Sequence, residues 1–198
     1  MSNETNKIIV VAFTTLDGVV EDPDGSWGAS FGGWGFRQGP QVFAGDKFRL
    51  GPILESGALL FGRSTWEAFA ARWPGRSGDF ADAMNRARKY VVSRTLTSVE
   101  AWSNSALLDT DLTVGVERLR SERDVVIIGS TDVVHQLAAK DLIDEYRLLV
   151  VPTVLGTGER LFDATPVELD LASADATEVG VLLCYEVAPD RPAEPAVG

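Results

Sequence analysis

Residues Val125–Phe162, VVIIGSTDVVHQLAAKDLIDEYRLLVVPTVLGTGERLF, decide how this 198-residue chain is read. Val125–Ile128 is a short apolar β-branched run, the pattern of a strand buried on both faces. Gly129-Ser130-Thr131 interrupts it, Asp132–Lys140 follows with helical spacing, and Glu145–Val151 is a second strand. A strand, a turn, a helix and another strand in this order form a parallel crossover unit. The helix entry has two readings. Its unpaired amides and partial positive charge suit an anion, and Gly129 would let a ligand approach the backbone. Equally, Ser130 or Thr131 could simply cap the helix. Asp132 sets a carboxylate in the first turn, where it competes with a bound anion. No GxGxxG motif is present, which argues against an ordinary Rossmann site.

Working outward, Lys7–Phe13, Gly57–Gly62 and Lys89–Ser93 read as further buried strands, and Val99–Trp102 as a short one. Glu178–Val187 is expected to close the sheet. Helical segments are expected over Val42–Leu54, though Gly45, Gly51 and Pro52 weaken it, and over Arg63–Ala71. Leu112, Val116 and Leu119 mark a third helix, capped by Asp109 or Thr110. Strands alternating with helices imply an α/β fold with a largely parallel sheet covered on both faces. Glu21–Gly39, rich in Gly, Asp and aromatics, is a long loop of the kind that carries function or acts as a lid. One domain over residues 1–188 is expected, followed by a disordered Pro/Ala-rich tail, Pro189–Gly198.

The formal net charge of −11 lacks the electrostatic footprint of a nucleic-acid or anionic-membrane binder. No stretch approaches the ~20 apolar residues needed to cross a bilayer, and Ile8–Phe13 is too short for a signal core. Cys184 is the single cysteine, so no internal disulfide can form. A cytoplasmic protein is the expectation. His135 is the only histidine and has no nucleophile or carboxylate partner evident from spacing, which argues against a Ser-His-Asp triad and a histidine metal site.

Three more stretches stand at strand ends, where ligands of open α/β sheets collect. Gly62-Arg63-Ser64-Thr65 joins a helix start to hydroxyls and a guanidinium, which binds phosphate bidentately. Ser93-Arg94-Thr95 could neutralise a second phosphate, or Arg94 could be a solvated surface residue. Asp17 could orient a substrate or supply a proton, or be a turn aspartate before Gly18. Trp27 and Trp34 in the long loop could stack on a flat ligand.

Four stretches together resemble the dihydrofolate-reductase-like superfamily: TTLDGVVEDP (Thr14–Pro23), LLFGRSTWEAF (Leu59–Phe69), KYVVSRTL (Lys89–Leu96) and Val125–Phe162. The branch they are most similar to is the C-terminal reductase domain of the bifunctional riboflavin biosynthesis deaminase/reductase, with its stand-alone relatives. That resemblance implies a three-layer sandwich with a central mostly parallel sheet and an antiparallel C-terminal strand. It implies NADPH as hydride donor, held by Thr14, Gly62, Arg63, Ser64, Thr65, Ser93, Arg94, Gly129, Ser130, Thr131 and Val134. Ser93 and Arg94 would lie at the 2′-phosphate, and Gly129–Thr131 at the pyrophosphate. Asp17 would be the catalytic residue and, with Trp27, Leu155, Gly156 and Phe162, would face the substrate. The implied reaction is hydride transfer to a small heterocycle or imine, as in 5-amino-6-(5-phosphoribosylamino)uracil reduction, by a homodimer. Dihydrofolate reductases proper carry Gly-Gly where this chain has Gly129-Ser130, which favours the stand-alone branch. With one histidine and one cysteine, these residues carry no zinc-ligand set of the fused deaminase domain, so a reductase without it is the expectation. The alternatives are a non-catalytic nucleotide-binding protein on the same fold and a flavin-dependent enzyme.

Overall fold

Every apolar run named above except Val99–Trp102 enters a single sheet. The computed structural model describes residues 6–162 and 166–188, so the expected tail Pro189–Gly198 lies outside the described residues. Eight strands are found among them: β1 (Ile8–Thr15), β2 (Ala58–Gly62), β3 (Arg88–Val92), β4 (Ser105–Leu107), β5 (Val125–Ile128), β6 (Glu145–Val151), β7 (Leu169–Ala176) and β8 (Val181–Val187). Their order across the sheet is β4-β3-β2-β5-β1-β6-β8-β7. The pairings from β4 to β6 are all parallel, whereas β8 runs antiparallel to both β6 and β7.

The helices are α1 (Ile53–Ser56), α2 (Arg63–Ala70), α3 (Asp79–Arg86), α4 (Leu112–Glu122) and α5 (Thr131–Ala138). Alternation along β1 shows why its sequence is apolar throughout. Ile9 and Val11 join the core that holds Leu54 of α1, Trp66 of α2 and Met84 of α3. Ile8 and Val10 join the opposite core, with Val116 and Leu119 of α4 and Val133 and Leu137 of α5. Helices therefore cover both faces, as the resemblance implied. No helix among the described residues is long and apolar enough to cross a membrane.

Several boundaries depart from the sequence reading, each for a physical reason. No helix spans Val42–Leu54. Gly45, Arg49 and Gly51 have positive φ, and the Asp46 carboxylate takes the amides of Leu50 and Gly51. A 3₁₀ turn at Pro40–Phe43 and the single turn of α1 remain. Val99–Trp102 is not a strand. Trp102 is buried, its Nε1 donating to Asn85 Oδ1 at 2.7 Å, and the strand comes later as β4. The cap of α4 is neither Asp109 nor Thr110 but Asp111, whose Oδ1 accepts from the Thr113 and Val114 amides. The last strand does not close the sheet. β8 is inserted beside β6, and β7, alternating in burial along a polar sequence, forms the edge.

One consequence of this order positions the site. β2 and β5 are neighbours, with Leu60 opposite Ile127. From β2 the chain passes through α2 to β3 on one side, and from β5 through α5 to β6 on the other. The chain thus leaves in opposite directions at the carboxyl ends of two adjacent parallel strands, and such a switch point opens a crevice.

Candidate functional site

The two strand-to-helix junctions at this crevice are joined by one side chain. Gly129 and Ser130 both have φ of 62°, so two successive left-handed residues turn the chain from β5 into α5. At Gly129 a side chain would also meet Thr65, since a Cβ there would lie 3.3 Å from its Cγ2. Ser130 occupies the cap position of α5 but makes no capping bond with its side chain. Its Oγ accepts from the Gly62 amide at 2.6 Å and donates to Thr65 Oγ1 at 3.0 Å. Of the two readings of this turn, a side-chain cap from Ser130 is not found: Ser130 latches the β2–α2 junction to the β5–α5 junction.

A groove of about 560 Å³ lies over this latch, lined by Gly62–Thr65, Trp27, Ser130–Val133 and Glu159. The Thr131 and Asp132 amides precede any intrahelical acceptor and belong to the electropositive end of α5. The shape and the donors suit the bridging phosphates of a dinucleotide, while the absent side chains at Gly62 and Gly129 let the two junctions pack closely on Ser130 and Thr65. The charges are divided. Arg63 stands 3.6 Å from Glu67, and Asp132 and Glu159 also face the groove. Glu159 has its pKa raised, first by desolvation and then by the nearby Asp132 carboxylate. The groove thus fits the cofactor in form, and three carboxylates oppose it in charge.

Beneath the groove lies a narrower pocket of about 140 Å³ that shares Trp27, Thr65, Ala68, Ser130 and Thr131 with it. Phe13, Phe43, Phe48, Phe69 and Ile128 form its apolar wall. Its main polar feature is the ion pair between Arg72 and Asp24. Burial would raise the Asp24 pKa, but hydrogen bonds from Ser26 and Arg72 and the guanidinium charge hold it below the ordinary range. Arg72 also donates from Nε to the Ala68 carbonyl at 3.0 Å, which fixes it against α2.

Of the residues expected at the site, Gly62, Arg63, Ser64, Thr65, Ser130, Thr131 and Trp27 line the groove, and Gly129 lines the pocket. Ser93 stands at the end of β3, its Oγ accepting from the Thr95 and Leu96 amides, and Arg94 beside it is exposed. Asp17 lines neither cavity. Its carboxylate accepts from Thr15 Oγ1 at 2.6 Å, from the Gly156 amide at 2.8 Å and from the Leu155 amide at 3.2 Å. These bonds, Thr15 first, lower its pKa to about 2. A carboxylate that accepts from these three donors staples the turn after β1 to the Leu155–Gly156 segment. Leu155 and Gly156 form the other half of that staple. Thr14 is buried and bonded to the Thr15 carbonyl, and Val134 is buried in the core under α5. Phe162 packs on Tyr146 with ring centres 5.2 Å apart, beside a small cavity on the α5 face.

The long loop is corrected too. Trp34 is fully buried with Nε1 on the Glu21 carbonyl, so of the two tryptophans only Trp27, 49% exposed, can meet a ligand. Buried Asp22 accepts from the Trp27 and Ala29 amides and staples the loop from within. His135 contacts the Leu161 carbonyl through Nε2 at 2.9 Å. Sequence reasoning missed Asp24 and Arg72. Asp24 sits in a Pro-Asp-Gly turn signal and Arg72 follows the end of a helix, so neither position carries a pattern that separates it from surface charge.

The description "RibD C-terminal domain" fits residues 6–184 of this chain as a family model. The chain belongs to the RibD C-terminal domain family. The uncharacterized protein YyaP of Bacillus subtilis (strain 168) is 22% identical over 165 residues, 79% of this chain and 80% of that one. Among solved structures, a Shewanella sp. PV-4 protein provisionally assigned to riboflavin biosynthesis superposes with a TM-score of 0.71 at 18% identity, covering 92% of this chain and 99% of its own. A pyrimidine reductase-like protein of Corynebacterium diphtheriae gives 0.59 at 15% identity over 93% of each chain. The Thermotoga maritima diaminohydroxyphosphoribosylaminopyrimidine deaminase/5-amino-6-(5-phosphoribosylamino)uracil reductase gives 0.57 at 16% identity, over 93% of this chain and 57% of that one. These likenesses are of fold, and they place the latched crevice on a RibD C-terminal domain scaffold.

Proposed function

We propose that this RibD C-terminal domain chain is an NADPH-dependent reductase acting on a small heterocyclic or imine substrate. The observation that carries the reading is the meeting of two cavities at Thr65 and Ser130. One is an open groove bounded by helix amides, and the other is a narrow aromatic pocket. Bound in the groove, the dinucleotide supplies a hydride, two electrons and one hydrogen, to an electrophilic carbon, and a proton on the adjoining heteroatom completes the reduction. Gly62–Thr65 and Gly129–Thr131 hold the phosphates, and Arg94, at the end of β3, takes the 2′-phosphate. The aromatic wall orients the substrate and excludes water from its face. Neither Asp17 nor Asp24 suits the role of proton donor, because hydrogen bonds and, at Asp24, the Arg72 charge favour the carboxylate form of each. The Arg72 guanidinium does not deprotonate either. Water entering along the groove, which Glu159 lines with a raised pKa, is the proposed source of the proton.

The relatives named for riboflavin biosynthesis and for pyrimidine reduction support the reaction class. The test is a titration with NADPH followed by nicotinamide fluorescence. Saturable enhancement is expected, and no binding at high-micromolar cofactor would end the proposal.

A further inference from the structure

The aromatic pocket does not end beneath the groove. It shares Phe13, Phe43, Phe48, Phe69 and Ile128, with the Arg72–Asp24 pair, with a second chamber of about 130 Å³. The second chamber in turn shares Phe43, Gly45, Trp73, Arg76 and Phe80 with an opening at the surface, and no residue of the two latched junctions lines that opening. The chambers thus share walls in series, from the cofactor groove to an opening lined by Phe43, Gly45, Trp73, Arg76 and Phe80.

The composition of the wall limits what can lie in it. An apolar cavity of about 150 Å³ accommodates one benzene ring, so two chambers of this size take a flat body of about two fused rings. Phe13 meets Phe43 and Phe48 edge-on at centroid distances of 4.8 and 4.9 Å, and Phe69 meets Trp73 in a stacked arrangement at 5.9 Å. Rings so arranged offer faces and edges to another ring. Two of the three cations lining the chambers are already paired with carboxylates. Arg72 is paired with Asp24, Lys47 is 3.0 Å from Glu178, and Arg76 lies over the Trp73 ring at 4.9 Å, outermost of the three. A phosphate at Arg72, which lines both chambers, would have to displace the Asp24 carboxylate inside an apolar wall, whereas Arg76 is exposed at the opening.

We infer that the substrate is an uncharged, flat, conjugated carbonyl or imine compound of about two rings, which enters by the surface opening and meets the Arg72–Asp24 pair as its polar anchor. The inference rests on the reductase reading for its chemistry, while the occupancy of the cavity can be measured without any turnover. It separates this chain from an enzyme for a phosphoribosylated pyrimidine.

Calorimetry on the full chain without cofactor tests it, with 2-naphthaldehyde as the flat neutral probe and uridine 5′-monophosphate as the phosphorylated one. The naphthaldehyde is expected to bind with a dissociation constant on the order of 100 µM, and the nucleotide not at 1 mM. Phe43→Ala should weaken the naphthaldehyde about tenfold and Phe43→Leu about threefold, and neither should change NADPH affinity, since Phe43 lines no part of the groove. The leucine variant keeps the apolar volume and guards against a folding artefact. Binding of the nucleotide but not the naphthaldehyde would overturn the inference, and so would Phe43 variants that leave naphthaldehyde binding unchanged. If naphthaldehyde binds as expected but NADPH does not, the cavity assignment stands and the reductase reading fails.

Discussion

Replacing Ser130 with alanine removes the latch and nothing else that the structure shows. The side chain makes no capping bond to α5, so the helix entry loses nothing directly. The Gly62 amide, bonded to Oγ at 2.6 Å, loses its acceptor. An unsatisfied donor costs about 1–3 kcal/mol, and Gly62 is half-buried, which puts the cost in the lower half of that range. Buried Thr65 Oγ1 loses a donor at 3.0 Å, worth roughly 0.5–1 kcal/mol. The total is about 2 kcal/mol. For a chain of this length that is a fall in Tm of about 4–8 °C. With a urea m-value of roughly 2 kcal/mol/M, the midpoint drops by about 1 M. Ser130→Gly separates the latch from the backbone. It loses the same two bonds but relieves the strain of a left-handed non-glycine residue, recovering about 1 kcal/mol. Urea unfolding followed by tryptophan fluorescence should therefore rank wild type above Ser130→Gly and Ser130→Gly above Ser130→Ala. An alanine variant within about 0.5 kcal/mol of wild type would refute the reasoning, because that is the scatter of an ordinary surface change.

Three other perturbations follow from particular groups. The folded pKa of Asp17, about 2, lies below its ordinary 3.8, so its contribution to stability is full above about pH 4 and is lost as pH falls through 2. Unfolding measured between pH 2 and 5 should show that loss, and Asp17→Asn should flatten it. Lys89 is 1% exposed and donates to the carbonyls of Asn85, Ala87 and Ser103, so Lys89→Met should cost about 3 kcal/mol in urea unfolding. Burial lowers the Lys89 pKa to about 8, so the native chain releases this proton before the unfolded one does, and stability should rise from pH 8 to 10.5 in wild type only. Asp132→Asn removes one carboxylate from the groove and should tighten NADPH about fivefold, from roughly 1 kcal/mol of repulsion at contact distances in high dielectric, as read by cofactor titration at low salt.

The parallel core was legible because its strands are buried on both faces, and continuous runs such as Ile8–Phe13 can hardly be anything else. β7 was not legible. LDLASADA is an edge strand with one wetted face, and its polar residues read as loop. The Val42–Leu54 segment misled for the opposite reason. Its apolar residues face the core from irregular backbone, so their spacing carries burial without helical period. The latch was half legible. Gly129-Ser130 signalled a junction, but that the serine would reach to Gly62 depends on β2 and β5 becoming neighbours, a long-range fact that local sequence does not contain. Asp17 was visible as a candidate, but the bonds that hold its carboxylate were not. The donors that commit its carboxylate include Leu155 and Gly156, far along the chain, and no local pattern announces them.

The latch also couples binding to folding. Ser130 ties α2 on one face of the sheet to α5 on the other, so whatever fills the groove touches both helical layers at once. A ligand that binds only the folded chain stabilises it by about 2.7 kcal/mol at one hundred times its dissociation constant. That is of the same size as the loss expected from Ser130→Ala. Saturating NADPH should then restore most of the alanine variant's Tm if the groove keeps its shape without the latch. If Ser130 is what shapes the groove, the variant binds more weakly and the same cofactor concentration restores little. The size of the rescue thus separates a serine that merely holds two helices together from one that also builds the cofactor's seat.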